Sequence, residues 1–381
     1  MRHRLMKAGL AVLVAGALAP GLAGAQGTLS VQGLGYPPGQ LSARSLGTGG
    51  ALAEMDPTSP LNPAAIIEFN APALSIQMAP EFRRVTNGAT SGNSSTQRFP
   101  VFIGALPFGQ RLMVGVSSST LLDRSWSTTA PLSQVIRGDT VQFNSNTTSD
   151  GAVNDVAVIA AYTVRPWLRV GVAAHGFTGR DVVTVRRTFQ DTVRYGNTVE
   201  PSTSSYSGNA VSLGVELVRA TVGGLALSYR RGGALNQMAG DSVIERAHVP
   251  DRFGAGVVYT GLRNATLAAR TSYDRWSSLG TLGGSPAPAQ NSWDTSLGAE
   301  LVGPHFASIP LTFRLGGRMR DLPFPAAGRR VRDLSVAGGL GLTLAQGHAL
   351  LDLSATRSRR TAGIGATEAA WTIGLGFTIR P

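Results

Sequence analysis

Along most of this chain, large apolar residues take turns with small or polar ones at a period of two. That period constrains the fold more than any other feature. Trp371, Ile373, Leu375, Phe377 and Ile379 fall on one side of a C-terminal strand, and Thr372, Gly374, Gly376, Thr378 and Arg380 on the other. Successive side chains of a strand point to opposite faces, so such a segment has one greasy face and one small, polar face. The same pattern returns in Leu311, Phe313, Leu315 and Met319 against Thr312, Arg314, Gly316, Arg318 and Arg320, and again in Ala349, Leu351 and Leu353 against Asp352 and Ser354. A water-soluble sandwich also alternates, but its exposed faces are rich in Lys and Glu. Here charged residues are only 15% of the chain, Lys7 is the sole lysine, and Gly reaches 48 residues. The polar face is built of Gly, Ser, Thr, Arg and Asp instead. Aromatic residues near segment ends, such as Trp293, Tyr259, Tyr273 and Trp371, suit the girdles of a lipid-facing band.

About fourteen such segments can be counted, centred near Ile76, Phe102, Val114, Val158, Val172, Leu213, Leu227, Val257, Leu267, Leu297, Phe313, Leu340, Leu353 and Leu375. The connections alternate in length. Short ones fall at 107–110, 165–167, 219–224, 261–264, 302–307 and 345–348. Longer polar ones fall at 86–97, 127–151, 187–205, 232–248, 277–291, 323–330 and 357–367. Short periplasmic turns opposite long external loops are what an even-stranded barrel shows when both termini are periplasmic. Strands cross hydrocarbon only when every backbone group is paired, which demands a closed cylinder. The expected fold is therefore all-β, a transmembrane antiparallel up-and-down barrel over 71–381. Gly374, Phe377 and Ile379 in the last strand also match the pattern of C-terminal signals read by the barrel-assembly machinery.

Residues 1–25 read as an export signal. A basic start (Arg2, Arg4, Lys7) precedes an uncharged apolar stretch over 8–20, and Ala23-Gly24-Ala25 fits a small-x-small cleavage site. No later run is long and apolar enough for a spanning helix. Residues 26–70 lack alternation. Glycines at 47, 49 and 50 break a short helical stretch, and Pro57, Pro60 and Pro63 oppose regular ladders. Such a segment fits a plug inside the barrel or a small periplasmic unit.

Two runs carry a family resemblance: Ser42-Ala-Arg44 with Gly47, Gly49, Gly50 and Ala51, then Leu61-Asn62-Pro63-Ala64-Ala65. They resemble the N-terminal hatch of FadL/TodX-type outer-membrane channels for hydrophobic compounds, an opening shared by PorV-like proteins. Val249-Pro250 to Tyr259 and Tyr273-Asp-Arg-Trp276-Ser277 add weaker matches in the barrel. The segment between the hatch glycines and Asn62 departs from the usual acidic and aromatic pattern, reading Met55-Asp-Pro-Thr-Ser-Pro60. The resemblance implies uptake of fatty-acid-like molecules across the outer membrane, a hatch holding Asn62, Pro63 and Ala64, and exit partly through the wall. Its alternative is a PorV-like platform for secretion or surface-attachment partners.

Other chemistry is poorly represented. Zero cysteines exclude disulfides, zinc ribbons and thiol nucleophiles. Neither His-Glu-x-x-His nor Gly-x-Ser-x-Gly occurs, and nothing implies a metal, cofactor or catalytic residue. His175, near Asp181, is the one histidine considered for catalysis, and a plain polar wall residue is the favoured reading. The net charge of +12 comes from scattered arginines rather than a basic arm, which argues against nucleic acid. Arg314, Arg318 and Arg320, with Arg169 and Arg270, face the lumen by parity. They are candidates for guiding an anionic head group, or for an ion-pair network with Asp274, Asp294, Glu300 and Asp352. The Gly338-Gly339-Leu-Gly341 run reads as strand glycines where the barrel bends.

Overall fold

The computed structural model describes residues 29–381 except 31, 89, 99–100, 137, 220, 284–286 and 307–308. The export signal read over 1–25 lies outside the described residues. One antiparallel sheet dominates. β1 (Ala73–Met78) and β2 (Glu81–Asn87) make the first barrel strand, and β3 (Thr90–Thr96) and β4 (Val101–Phe108) the second. β5 (Leu112–Asp123) and β6 (Trp126–Ile136) make the third. β7 (Asp139–Arg165), β8 (Leu168–Phe189), β9 (Thr198–Arg219) and β10 (Gly223–Ala239) follow, and β11 (Ser242–His248) with β12 (Arg252–Leu262) forms the eighth. β13 (Ala265–Asp274), β14 (Ser292–Phe306), β15 (Ile309–Ala326), β16 (Arg329–Leu344), β17 (Ala349–Thr361) and β18 (Ala366–Ile379) complete fourteen. Every strand centre read from the alternation falls inside one of them.

The ring closes between its ends. β18 pairs with β1, setting Phe377 opposite Ile76, and then with β2, setting Trp371 opposite Phe82. Closure leaves no edge, which is the condition for a sheet in hydrocarbon. Exposure is inverted relative to a water-soluble protein. Leu297 is 65% and Val336 64% exposed, whereas Arg360 and Glu368 are fully buried. An apolar surface running right round the wall has only lipid as its solvent. Along β18 this face extends from Trp371 to Ile379, about 27 Å of strand. At a tilt of ~40° it covers roughly 20 Å, close to the ~25 Å band of outer-membrane barrels.

The long connections are a correction. The stretches 127–151 and 232–248 are mostly strand: β6 pairs with β7 from Trp126–Ser149 to Ile136–Asp139, and β10 with β11 from Ala234–His248 to Ala239–Ser242. Beyond the lipid a strand still needs its backbone partners but no longer an apolar face. Its sequence turns polar and reads as loop. The connection after β13 does remain a loop, with a short 3-10 helix at Trp276–Leu279.

Residues 29–70 lie within the cylinder. They form no ladder among the described residues beyond an isolated bridge between Tyr36 and Asp123. A five-residue helix, α1 (Ala43–Gly47), starts at Ser42, whose hydroxyl accepts the Ser45 N–H at 2.9 Å. A 3-10 helix, Pro63–Phe69, starts at Asn62, whose Oδ1 accepts the Ala64 N–H at 3.0 Å. Pro63 occupies its first position, where a missing N–H costs nothing.

The lipid-facing assignment has a direct consequence. Leu375→Arg, mid-band, is expected to destabilise the barrel by about 2–4 kcal/mol and Ile379→Arg, near the rim, by ~0–1 kcal/mol. Denaturant titration in lipid vesicles checks both values.

Candidate functional site

The inner segment reaches the wall where the wall has no side chains. Gly171 on β8 and Gly214 on β9 are register partners, and a Cβ on either would overlap Asn62, Pro63 or Ala64. Gly298 on β14 and Gly316 on β15 are another register pair, and there the Thr48 carbonyl takes the space. Gly339 on β16 meets Gly47, and Gly254 and Gly256 on β12 meet the Glu54 side chain. This corrects the reading of Gly339 as a bend: its lack of a Cβ serves contact with the inner segment. Gly49 and Gly50 have φ of +66° and +94°, the left-handed region open to glycine at little cost.

Charge then fastens what the glycines admit. Glu54, fully buried, pairs with Arg252 and, at 3.1 Å, with Arg270, and accepts the Ser228 hydroxyl at 2.7 Å. The Asn62 amide donates to the Glu54 carbonyl at 2.8 Å. Asp56 accepts from Ser42, from Ser45 at 2.6 Å and from Thr58 at 2.7 Å. Burial pushes both carboxyls upward. The Arg252 and Arg270 guanidiniums outweigh it at Glu54, and Arg44 with the hydroxyls outweighs it at Asp56, so both lie below their ordinary values. Arg44 itself forms a bidentate pair with Glu300.

Tyr36 is the second anchor. Four guanidiniums, of Arg83, Arg98, Arg320 and Arg360, lie 4.6–5.2 Å from its ring centroid. Its hydroxyl accepts from Arg320 and, at 2.7 Å, from Arg360. Glu81, Asp123, Asp333 and Glu368 supply four opposing carboxylates. Unpaired charge here would cost several kcal/mol, so the matched count keeps the belt closed. Beside it lies a cavity of about 40 Å³ bordered by Tyr36, Leu41, Leu46, Ala79, Arg98 and Arg318.

Two apolar clusters flank the charged belt. At the long-loop end Phe177, Tyr206 and Leu235 from the wall pack with Leu34, and the connection after β13 folds in to add Trp276, Leu279 and Leu282. At the short-turn end Ile66, Ile67 and Phe69 of the inner segment pack on Ile103, Met113 and Ile159.

The lumen arginines read from parity do face inward, and carboxylates occupy them. Arg314 donates to Glu300 at 2.7 Å and Asp352 at 2.6 Å, Arg318 to Asp294 at 2.6 Å, and Arg320 to Asp333 at 3.0 Å. Arg270 reaches Asp294 at 3.0 Å, and Arg169 joins Glu68 and Glu216. Asp274, expected in this network, has no ion pair among the described residues. His175 faces inward too, but its partners are Asp155 at 2.8 Å and Ser212 at 2.7 Å, not Asp181, which pairs with Arg124. The order Ser212–His175–Asp155 has the connectivity of a hydrolytic relay. The Asp155 carboxylate is also held by Gln40 at 3.0 Å, and Gln40 in turn accepts from Arg230. The relay thus ties the wall to the inner segment. Gly374 faces inward near Ala43 and Leu46, while Phe377 and Ile379 face lipid.

Sequence reasoning missed Glu54 and Tyr36. Both lie in the non-alternating segment, where no periodicity marks a side chain's surroundings.

No protein-family model matches the chain, and no curated protein matches its sequence. Solved structures do match its fold. A FadL homologue from Pseudomonas aeruginosa superposes with a TM-score of 0.63 at 11% identity, covering 91% of this chain and 99% of its own. The toluene transporter TbuX of Ralstonia pickettii gives 0.60 at 14% identity, over 89% and 98%. The toluene transporter TodX of Pseudomonas putida gives 0.56 at 13% identity, over 93% and 100%. The fold is thus that of the FadL/TodX-type channels.

Two outcomes test the seating. Gly214→Val is expected to unseat Asn62–Ala64 and abolish amide protection over 62–70 in hydrogen exchange. Gly176→Val, at a glycine facing away from the lumen, should leave it intact. Because Glu54 and Asp56 are depressed in the folded state, their contribution is complete above the ordinary values of 4.5 and 3.8 and fades as pH falls below them. Exchange protection over 42–62, corrected for intrinsic rate, should therefore hold from pH 8 to about 5 and decline only at lower pH.

Proposed function

We propose that the protein is an outer-membrane channel for the uptake of hydrophobic or amphipathic small molecules, and that residues 26–70 are its hatch. Short turns and both termini face the periplasm, and the barrel-assembly machinery reads the strand carrying Gly374, Phe377 and Ile379. One observation carries the reading. The lumen, polar in a water-filled porin, is packed at its long-loop end with apolar side chains, among them Phe177, Leu235, Trp276, Leu279 and Phe324. Such surroundings match a hydrophobic solute and give no advantage to a hydrated one. The similar solved structures that transport toluene support the same class of substrate.

The seated segment blocks a straight path, so passage requires it to shift. Asn62 is the leverage point, since one amide both caps the 3-10 helix and grips the Glu54 carbonyl. A sideways exit has a natural place. The first barrel strand breaks at Ala79–Pro80 and β3 of the second ends at Thr96, and Ala79 borders the inner cavity. Arg314, Arg318 and Arg320, already occupied by carboxylates, brace the lumen in this scheme rather than steer an anion.

A second reading, a platform for secretion or surface-attachment partners, draws on the hairpins of β6 to β9. There strands of 27 and 22 residues outrun the lipid band.

Cells lacking their own hydrophobic-compound channel are expected to take up labelled toluene faster when they express the protein. Asn62→Ala should change that rate, and Leu235→Asp should lower it by about tenfold or more, because a carboxylate among these apolar side chains penalises an apolar solute by at least ~1.4 kcal/mol. Uptake equal to that of empty cells overturns the transport reading. Uptake indifferent to Asn62→Ala overturns the hatch.

A further inference from the structure

The outer wall carries a cluster of charge that transport does not use. Arg357 and Arg359 on β17 and Arg84 on β2 all face outward and are exposed. In register they surround β18: Arg359 opposes Ala369, which opposes Arg84, and Arg357 opposes Trp371, which opposes Phe82. Among the described residues none of the three has a carboxylate partner, unlike Arg330 and Arg332 nearby, which share Asp321 at 3.2 and 3.6 Å. The Arg357 guanidinium lies 5.3 Å from the Trp371 ring. Arg84, Arg357, Ala369 and Trp371, together with Asn93 and Ser95 of β3, border an outward groove of about 510 Å³, and Arg359, the register partner of Ala369, stands beside it.

Position and spacing identify an occupant. The cluster lies at the long-loop end, level with and just beyond the aromatic residues Trp371 and Phe82. An arginine deeper in the lipid band would cost ~2–4 kcal/mol, whereas at the rim the cost falls to ~0–1. Head groups occupy that level, and phosphate is the anion to which guanidinium binds in a fork. Arg359 and Arg84 are two strands apart, about 10 Å. That is too wide for one phosphate to hold both. Ala369, between them, leaves the groove floor open for the body of a head group.

We propose that this groove binds the head group of an outer-leaflet glycolipid bearing two phosphates, with Arg359 and Arg84 each taking one and Arg357, braced on Trp371, joining them. The sugar between the phosphates then lies over Ala369. The assignment to the outer leaflet rests on the orientation proposed above, but binding itself does not, so the two fail separately.

Binding is measured on purified full-length protein in neutral detergent by native mass spectrometry, with diphosphoryl lipid A, monophosphoryl lipid A and phosphatidylglycerol as probes. Diphosphoryl lipid A is expected to bind about tenfold tighter than either of the others. The combined variant Arg84→Gln, Arg357→Gln, Arg359→Gln should lose that preference, and Arg332→Gln should keep it. Folding is verified by heat-modifiable gel mobility. Should the triple variant not fold, Arg84→Gln and Arg359→Gln singly are each expected to weaken binding about threefold. Equal binding of wild type and variants, or phosphatidylglycerol binding as tightly as diphosphoryl lipid A, overturns the proposal. Toluene uptake by the triple variant in cells is read in parallel. Unchanged uptake is expected, because none of the three substituted arginines faces the lumen.

Discussion

Everything in this molecule depends on backbone groups having no partner but one another once water is gone. A strand in hydrocarbon must be paired on both sides along its whole length, and the pairing of β18 with β1 and β2 meets that demand at the seam. Closure fixes which face is which. Apolar side chains turn outward because lipid is their solvent, and the remaining positions turn inward. The glycines of the inner face fall where the inner segment comes closest to the wall.

The lumen is filled by a segment that has no sheet of its own to join. Its peptide groups are satisfied by short helices, turns and wall side chains, and its charges by wall arginines, by Glu300 and by its own hydroxyls. Steric admission and electrostatic fastening fall on neighbouring positions. Gly254 and Gly256 make room for Glu54, and Arg252 on the same strand binds it. An arrangement of this kind is strong while every charge is paired. Removing a single partner leaves a buried ion, at a cost of roughly 3–5 kcal/mol.

The barrel was legible from the sequence because lipid imposes a period of two that survives in the residues, and all fourteen strand centres fell in place. Legibility ended where that selection ended. The 127–151 stretch is polar because it stands outside the lipid, and without an apolar face β6 and the start of β7 look like loop. The partners of His175 were missed for a different reason. Asp155 and Ser212 lie one strand away on either side and 20 and 37 residues along the chain, and only register brings them together. Glu54 carried no signal, since a lone carboxylate in an irregular segment gives no clue to the two arginines it meets. The arginines themselves were read correctly as inward-facing, by parity.

The chain has no cysteine of its own, so single cysteines can be introduced one by one from 371 to 379 and spin-labelled in lipid vesicles. Collision with dissolved oxygen and with a water-soluble nickel chelate reports the surroundings of each label. Oxygen accessibility should peak at 371, 373, 375, 377 and 379, with immobilised, shielded labels at the even positions between them. A profile without that two-residue period, or with nickel reaching the odd positions, would contradict a sheet whose greasy face meets lipid and whose small face meets an inner segment.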